Sequence, residues 1–256
     1  MKTTLARRQF LSLTAGAAAS ALMKGGAASA VTADPPVQAI AFDAFPIFDP
    51  RPVFALAEQL FPGRGGELGN EWRTRQFEYT WLRVAAGHYA DFWQVTQDAL
   101  EFAASKLSLE LTPEKRDKLM SAHLELKPWP DVPAALAALK QAGFRLAFLS
   151  NFTRAMLDAN IRSAGLAGRF DLIISTDQAK TYKPDPRAYQ LGVDSLKLRR
   201  EAILFVAFAG WDAAGAKLFG YPTFWVNRQK LPAERLEATP DGVGESFTQL
   251  LQFLKV

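Results

Sequence analysis

Apolar residues dominate a short run from Val37 to Phe42 that closes on Asp43, which predicts a buried strand over residues 37–43. Pro46, Pro50 and Pro52 then predict a turn over 46–52. From about 53 to 126 apolar positions recur at helical spacing. The clearest stretches are 71–82, 91–107 and 112–126, the last opened by Thr112-Pro113-Glu114. From Trp129 onward the pattern alternates. Strands are predicted over 145–149, 172–174, 202–207 and 223–226. Helices are predicted over 132–141, 154–164, 186–193 and 212–219, with a last one over 245–254. This alternation predicts an α/β fold, a parallel sheet covered on both faces. The helical stretch at 52–127 reads as a cap inserted between core segments 31–51 and 128–256.

Composition changes this picture mainly at the N-terminus. The chain has 256 residues, 49% of them apolar, enough for a sizeable core. Its formal charge is +4, yet residues 1–30 hold Lys2, Arg7, Arg8 and Lys24 and no acid. Setting aside those four bases leaves 26 basic against 26 acidic residues, a neutral remainder with no basic stripe for nucleic acid. The twin arginines Arg7-Arg8, an Ala-rich apolar stretch over 11–23 and the small residues Ala28-Ser29-Ala30 predict a cleaved twin-arginine signal peptide over 1–30. Export to the periplasm follows, with no stable membrane association after cleavage. The alternative is an uncleaved membrane anchor, but the apolar run falls short of the roughly 20 residues a span needs. The chain has no Cys, which excludes disulfides and thiol catalysis.

In open parallel sheets ligands sit beyond the C-terminal ends of the strands. Four predicted strands lead into polar residues there: Asp43, Ser150-Asn151, Lys183 within Thr181-Tyr182-Lys183-Pro184-Asp185-Pro186, and Asp212. Each has a plain structural explanation. Asp43 could end a strand, Ser150-Asn151 and Asp212 could cap helices, and Lys183-Pro184-Asp185-Pro186 could set a helix entry. Capping alone does not account for all four at successive strand ends. Two places after Asp43 stands Phe45. An acid there would complete a site for magnesium and phosphate. A phenyl ring removes that ligand and adds an apolar wall, which favours displacement at carbon by the Asp43 carboxylate. No metal or other cofactor is therefore expected.

These segments resemble the haloacid dehalogenase superfamily, and within it the type II L-2-haloacid dehalogenases. The resemblance spans essentially the whole chain after the leader. It is carried by Trp72-Arg73 with Glu78-Tyr79-Thr80-Trp81-Leu82-Arg83, by Tyr182-Lys183-Pro184-Asp185, by Trp211-Asp212-Ala213-Ala214-Gly215-Ala216 and by the run from Phe219 to Arg228. It implies a Rossmannoid core with a helical cap and the hydrolysis of (S)-2-haloalkanoic acids to (R)-2-hydroxyalkanoic acids. Asp43 would be the nucleophile at C2, forming an ester that water then hydrolyses. Arg73 would meet the departing halide, with Asn151 and Phe92 completing its cradle, and Ser150 would bind the substrate carboxylate. Lys183 would pair with the nucleophile, and Asp212 would hold Lys183 and position or activate water. Tyr189 would lend a supporting hydroxyl to the substrate-binding group. Phe45, Phe77 and Trp211 would wall the alkyl substituent, although the aromatic residues of the cap could equally be core. His88 and His123 carry no partner pattern and are given no role. A homodimer is a further expectation of the family.

The chain departs from that family in two segments. The first loop, Asp43-Ala44-Phe45-Pro46-Ile47-Phe48-Asp49, is one residue shorter than the usual Asp-x-Tyr-Gly-Thr-Leu pattern and lacks the Tyr and Thr hydroxyls. Ahead of Trp211-Asp212, the family's Ser-Ser-Asn becomes Ala207-Phe208-Ala209. A hydrogen-bond partner lost from a buried site costs about 1–3 kcal/mol, so slower turnover or a shifted substrate range is expected. Phe208 could refill the lost volume. The competing readings are a phosphatase of the same superfamily and a small-acid-binding homologue that has lost the hydrolytic step.

Overall fold

The computed structural model describes residues 37–256. The signal peptide predicted at 1–30 and the segment at 31–36 lie outside the described residues. The first strand, β1 (Ala39–Phe42), enters a single turn of helix, α1 (Ala44–Ile47), and a two-residue strand, β2 (Phe48–Asp49). Four helices follow: α2 (Arg51–Leu60), α3 (Gly65–Ala85), α4 (Phe92–Lys106) and α5 (Pro113–Ala122). The chain returns through β3 (Lys127–Pro128), which pairs antiparallel with β2. The inserted helices thus leave and rejoin the core through one short ribbon. The remainder alternates: α6 (Val132–Gln141), β4 (Arg145–Ser150), α7 (Arg154–Ser163), β5 (Leu172–Ser175), α8 (Pro186–Leu196), β6 (Ile203–Ala207), α9 (Gly210–Phe219), β7 (Thr223–Val226), β8 (Gly242–Gly244) and α10 (Phe247–Leu254).

The large sheet has the order β5-β4-β1-β6-β7-β8, and every neighbouring pair in it is parallel. Its central strands are apolar on both sides because both sides are covered. Ile40, Phe42, Leu146, Phe148, Leu204 and Val206 point into a core shared with α6, α7 and α10. Ala39, Ala41, Ala147, Leu149, Ile203 and Phe205 point the other way, against α8 and α9. Phe42 stacks on Phe247 at 5.8 Å and meets Phe170 edge-on at 6.2 Å. Full burial of such a ring contributes about 1.5–3 kcal/mol.

Two local expectations differ from the structure. The turn predicted over 46–52 is instead a helical turn, a strand residue pair and the start of α2. Pro46 and Pro52 sit in first turns, where the missing N–H has no intrahelical partner to lose. The helix predicted over 112–126 stops at Ala122. Beyond it, the Leu126 N–H is taken by the Asn160 side chain at 2.8 Å.

Candidate active site

Asp43 follows the central strand, and its backbone N–H donates to Val206 O at 3.1 Å, which keeps it in line with β6. Its side chain caps α1, with Oδ2 accepting from the Phe45 N–H at a long 3.4 Å. Oδ1 accepts from Ser150 Oγ at 3.1 Å and from Lys183 Nζ at 2.9 Å. Oδ2, with that single long bond among the described residues, is the oxygen with a lone pair to spare.

Lys183 is fully buried and bridges two carboxylates. Its Nζ lies 2.6 Å from Asp212 Oδ2 as well as 2.9 Å from Asp43 Oδ1, and stands 4.8 Å from the centre of the Phe205 ring. Burial works against the ammonium, but the charges of Asp212 and Asp43 and the hydrogen bonds to both outweigh it, so the lysine pKa is raised. Asp212 is pushed up to about 6, first by burial and also by the Asp43 charge, against the pull of Lys183. Its Oδ1 accepts from the Tyr189 hydroxyl at 2.8 Å. Burial foremost, then the Asp212 charge, holds that phenol well above its ordinary range, so Tyr189 is a neutral donor.

Ser150 ends β4, the neighbour of β1, and Asn151 follows it. The Ser150 hydroxyl spends its proton on Asp43 while its oxygen accepts from the Phe152 N–H at 3.3 Å. It was expected to bind a carboxylate; here it donates to the nucleophile candidate. Asn151 Oδ1 accepts from the Lys183 N–H at 3.0 Å and from Thr176 Oγ1 at 3.2 Å. Those two bonds fix the amide orientation and leave its NH2 without a partner among the described residues.

A cavity of about 240 Å³ opens in front of Asp43, between the core and the inserted helices. Asp43, Arg73, Ser150, Asn151, Phe45, Phe77, Phe92 and Trp211 all line it, so the structure gathers these expected site residues around one space. Arg73, on α3, is the distinctive member. It forms no hydrogen bond or ion pair among the described residues, and burial alone lowers its pKa from the ordinary arginine value. A guanidinium without a counter-charge beside an apolar wall is a standing site for an anion. Phe92 stacks on Phe152 at 5.4 Å, and Phe77 meets Trp211 edge-on at 5.3 Å, joining the inserted helices to α9.

Three expected residues are not on the cavity wall. Lys183, Asp212 and Tyr189 form a buried relay behind Asp43. Tyr189, expected among the substrate-binding residues, bonds Asp212 and does not line the cavity. Both Asp212 oxygens are engaged, which fits the holding of Lys183 and leaves neither oxygen on the cavity.

The structure also puts on the wall Trp129, which sequence reasoning passed over, and residues it named without placing them in the site. Trp129, just after β3, donates from Nε1 to Phe45 O at 2.9 Å, and Arg51 and Arg228 stand over its ring, each 4.5 Å from the centre. Phe208 lies against Phe45 at 6.0 Å and Trp129 at 6.4 Å, so it does fill space beside the nucleophile. Ala209 caps α9 with no side-chain bond, the visible consequence of its lost polar group. His123 and Gln76 also line the cavity. The His123 ring packs on Trp72 at 4.8 Å, and Nδ1 lies 3.2 Å from Leu119 O, which can only accept, so the proton is on Nδ1.

The profile of haloacid dehalogenase-like hydrolases matches residues 35–220 of this chain. Over 206 residues the chain is 44% identical to an (S)-2-haloacid dehalogenase from Pseudomonas sp. (strain YL), covering 80% of this chain and 89% of that one. A crystal structure of an L-2-haloacid dehalogenase superposes with a TM-score of 0.85 at 40% identity, covering 87% of this chain and 100% of the other. The L-2-haloacid dehalogenase from Xanthobacter autotrophicus with chloropropionic acid covalently bound superposes with a TM-score of 0.80 at 32% identity, covering 86% and 98%.

Proposed function

The chain belongs to the haloacid dehalogenase-like hydrolases, and from that membership we propose that it hydrolyses the carbon–halogen bond of (S)-2-haloalkanoic acids. The observation that carries this reading is the placing of a lysine-held carboxylate, Asp43, and a guanidinium with no counter-charge among the described residues, Arg73, on the wall of one largely apolar cavity.

Asp43 Oδ2 attacks C2 from the side opposite the halogen. The carbon–oxygen bond forms as the carbon–halogen bond breaks, and the halide leaves with the bonding pair. Arg73 and the free NH2 of Asn151 stabilise the charge that grows on it, and they do so more in the transition state than in the substrate. Water then adds to the Asp43 carbonyl carbon. The bond from that carbon to the substrate oxygen breaks, this oxygen takes one of the water's two protons to become the product hydroxyl, and Asp43 returns as carboxylate as the other proton is released. One displacement at C2 gives the (R)-2-hydroxy acid. Lys183 keeps Asp43 ionised, and the aromatic wall excludes competing water from the first step.

The reaction as drawn uses no metal. Halide release from (S)-2-chloropropanoate by the chain lacking residues 1–30, in the presence of chelator, tests it together with Asp43→Asn. Release that disappears in the variant is the expected result. Release that requires magnesium, or that survives in Asp43→Asn, sinks the mechanism. We also propose a periplasmic site of action, a reading supported by Arg7-Arg8, the apolar stretch behind them and Ala28-Ser29-Ala30.

A further inference from the structure

We propose that the preferred substrate carries an aryl group of benzyl size on C2, and not the methyl of 2-chloropropanoate. This deepens the dehalogenase reading above and rests on it.

The first reason is volume. The cavity measures about 240 Å³. An apolar protein cavity of ~150 Å³ stays dry and accepts benzene, which leaves roughly 90 Å³ here for the haloacid head at Asp43. A methyl substituent would leave most of the space unfilled, and the part of the wall formed by Phe45, Phe152 and Phe208 offers waters no polar side chain, the nearby guanidinium groups of Arg51 and Arg228 standing over Trp129.

The second reason is the wall itself. Two residues from the nucleophile, Phe45 meets Phe152 edge-on at 5.3 Å and Phe208 at 6.0 Å, and Phe208 passes the contact on to Trp129. The wall is preorganised. Trp129 is pinned by its bond to Phe45 O and by guanidinium groups over its ring. Aromatic rings prefer edge-to-face or offset partners at centroid separations of about 4.5–7 Å, so this wall recognises another ring better than an alkyl chain. Phe208 is also the residue that stands within the altered Ala207-Phe208-Ala209 segment. The change that removes polar groups from the site therefore adds an aromatic face to it.

The test has a binding arm and a turnover arm. Calorimetric affinities of the chain lacking residues 1–30 for 3-phenylpropanoate and propanoate form the binding arm, which needs no turnover. Binding at least tenfold tighter for the aryl acid is expected, and equal or weaker binding overturns the inference. Phe208→Ser, checked for folding by circular dichroism, is expected to reduce that preference several-fold; an unchanged preference overturns the assignment of this wall. In the turnover arm, (S)-2-chloro-3-phenylpropanoate should exceed (S)-2-chloropropanoate at least tenfold in kcat/KM, chiefly through KM. Chloride release that favours the methyl substrate also overturns the inference while leaving the dehalogenase reading intact. Release from neither, with the aryl preference in binding retained, counts against the dehalogenase reading and not against the ring-sized site.

Discussion

In the proposed reaction Asp43 relies on Lys183 beside it, and Lys183 is in turn paired with Asp212. The weak point of this relay is the acid at its far end. Asp212 is raised to about 6 by burial, so near that pH it takes up a proton and releases its grip on the ammonium. The proposed reaction should therefore lose rate as pH falls through about 6. Tyr189 supports the ionised form of Asp212 with a 2.8 Å bond, and that bond lowers the carboxyl pKa. A hydrogen bond to a charged group is worth about 1.5–3 kcal/mol, and one pKa unit corresponds to about 1.4 kcal/mol. Tyr189→Phe keeps the buried ring and removes the donor. The acid limb of kcat against pH should then move upward by about one unit. A limb that stays in place would show that Asp212 is not the group titrating there.

At the level of elements, one side chain of the core ties down the end of the inserted helices. Asn160, on α7, accepts from the Leu126 N–H at 2.8 Å and donates to His123 O at 2.8 Å and Met156 O at 2.9 Å. Asn160→Leu would keep the volume and strand a buried N–H and a buried carbonyl. Each such group costs about 1–3 kcal/mol, so a loss on the order of 3 kcal/mol is expected. For a chain of this size that is a fall in Tm of about 10 °C, readable by thermal unfolding. A drop of under 2 °C would mean that the ribbon of β2 and β3 holds the joint unaided. This joint was not legible in the sequence, because Asn160 looks like an ordinary polar residue of α7 until the fold brings the end of α5 onto it. Other elements were legible for definite reasons. The predicted 132–141 and 223–226 match α6 and β7 because a 3.6-residue period and a β-branched or aromatic run fix them locally. The ribbon of β2 with β3 spans two residues a side, too short to show any period, and β8 is two glycines around Val243. The same division runs through the site. Asp43 and Ser150 were visible as polar residues at strand ends and are found there; Lys183 and Asp212 were read the same way, but Lys183 lies in the connection between β5 and α8 and Asp212 in the first turn of α9. Trp129, Phe152 and His123 join the cavity from connecting segments whose positions only the folded chain sets.

On the scale of the whole molecule, charge balance makes individual buried groups decisive for acid stability. With acids and bases equal in number after the leader, net repulsion near neutral pH is small, and linkage is set by groups whose pKa changes on folding. His123 is the clearest of these. Burial lowers it to about 4, against a backbone bond to Leu119 that raises it, while the unfolded chain keeps the ordinary value of 6.5. Above 6.5 neither state binds the proton and nothing is lost. Between 6.5 and 4 the unfolded state takes it up and the folded state does not, so stability falls as pH falls, by about 3 kcal/mol in all at ~1.4 kcal/mol per unit. Asp212 acts with the opposite sign, because a carboxyl raised to about 6 relieves its own penalty on protonation. The wild-type profile mixes the two, but a comparison with His123→Phe separates them. Phenylalanine keeps the packing on Trp72 and cannot titrate. The difference in unfolding free energy between wild type and variant, from urea titrations at pH 7 and pH 4, should shift by about 3 kcal/mol in favour of the variant at low pH. A difference that does not change with pH would mean that His123 takes up its proton in the folded chain as readily as in the unfolded one, and that the cavity wall it belongs to opens to water in acid.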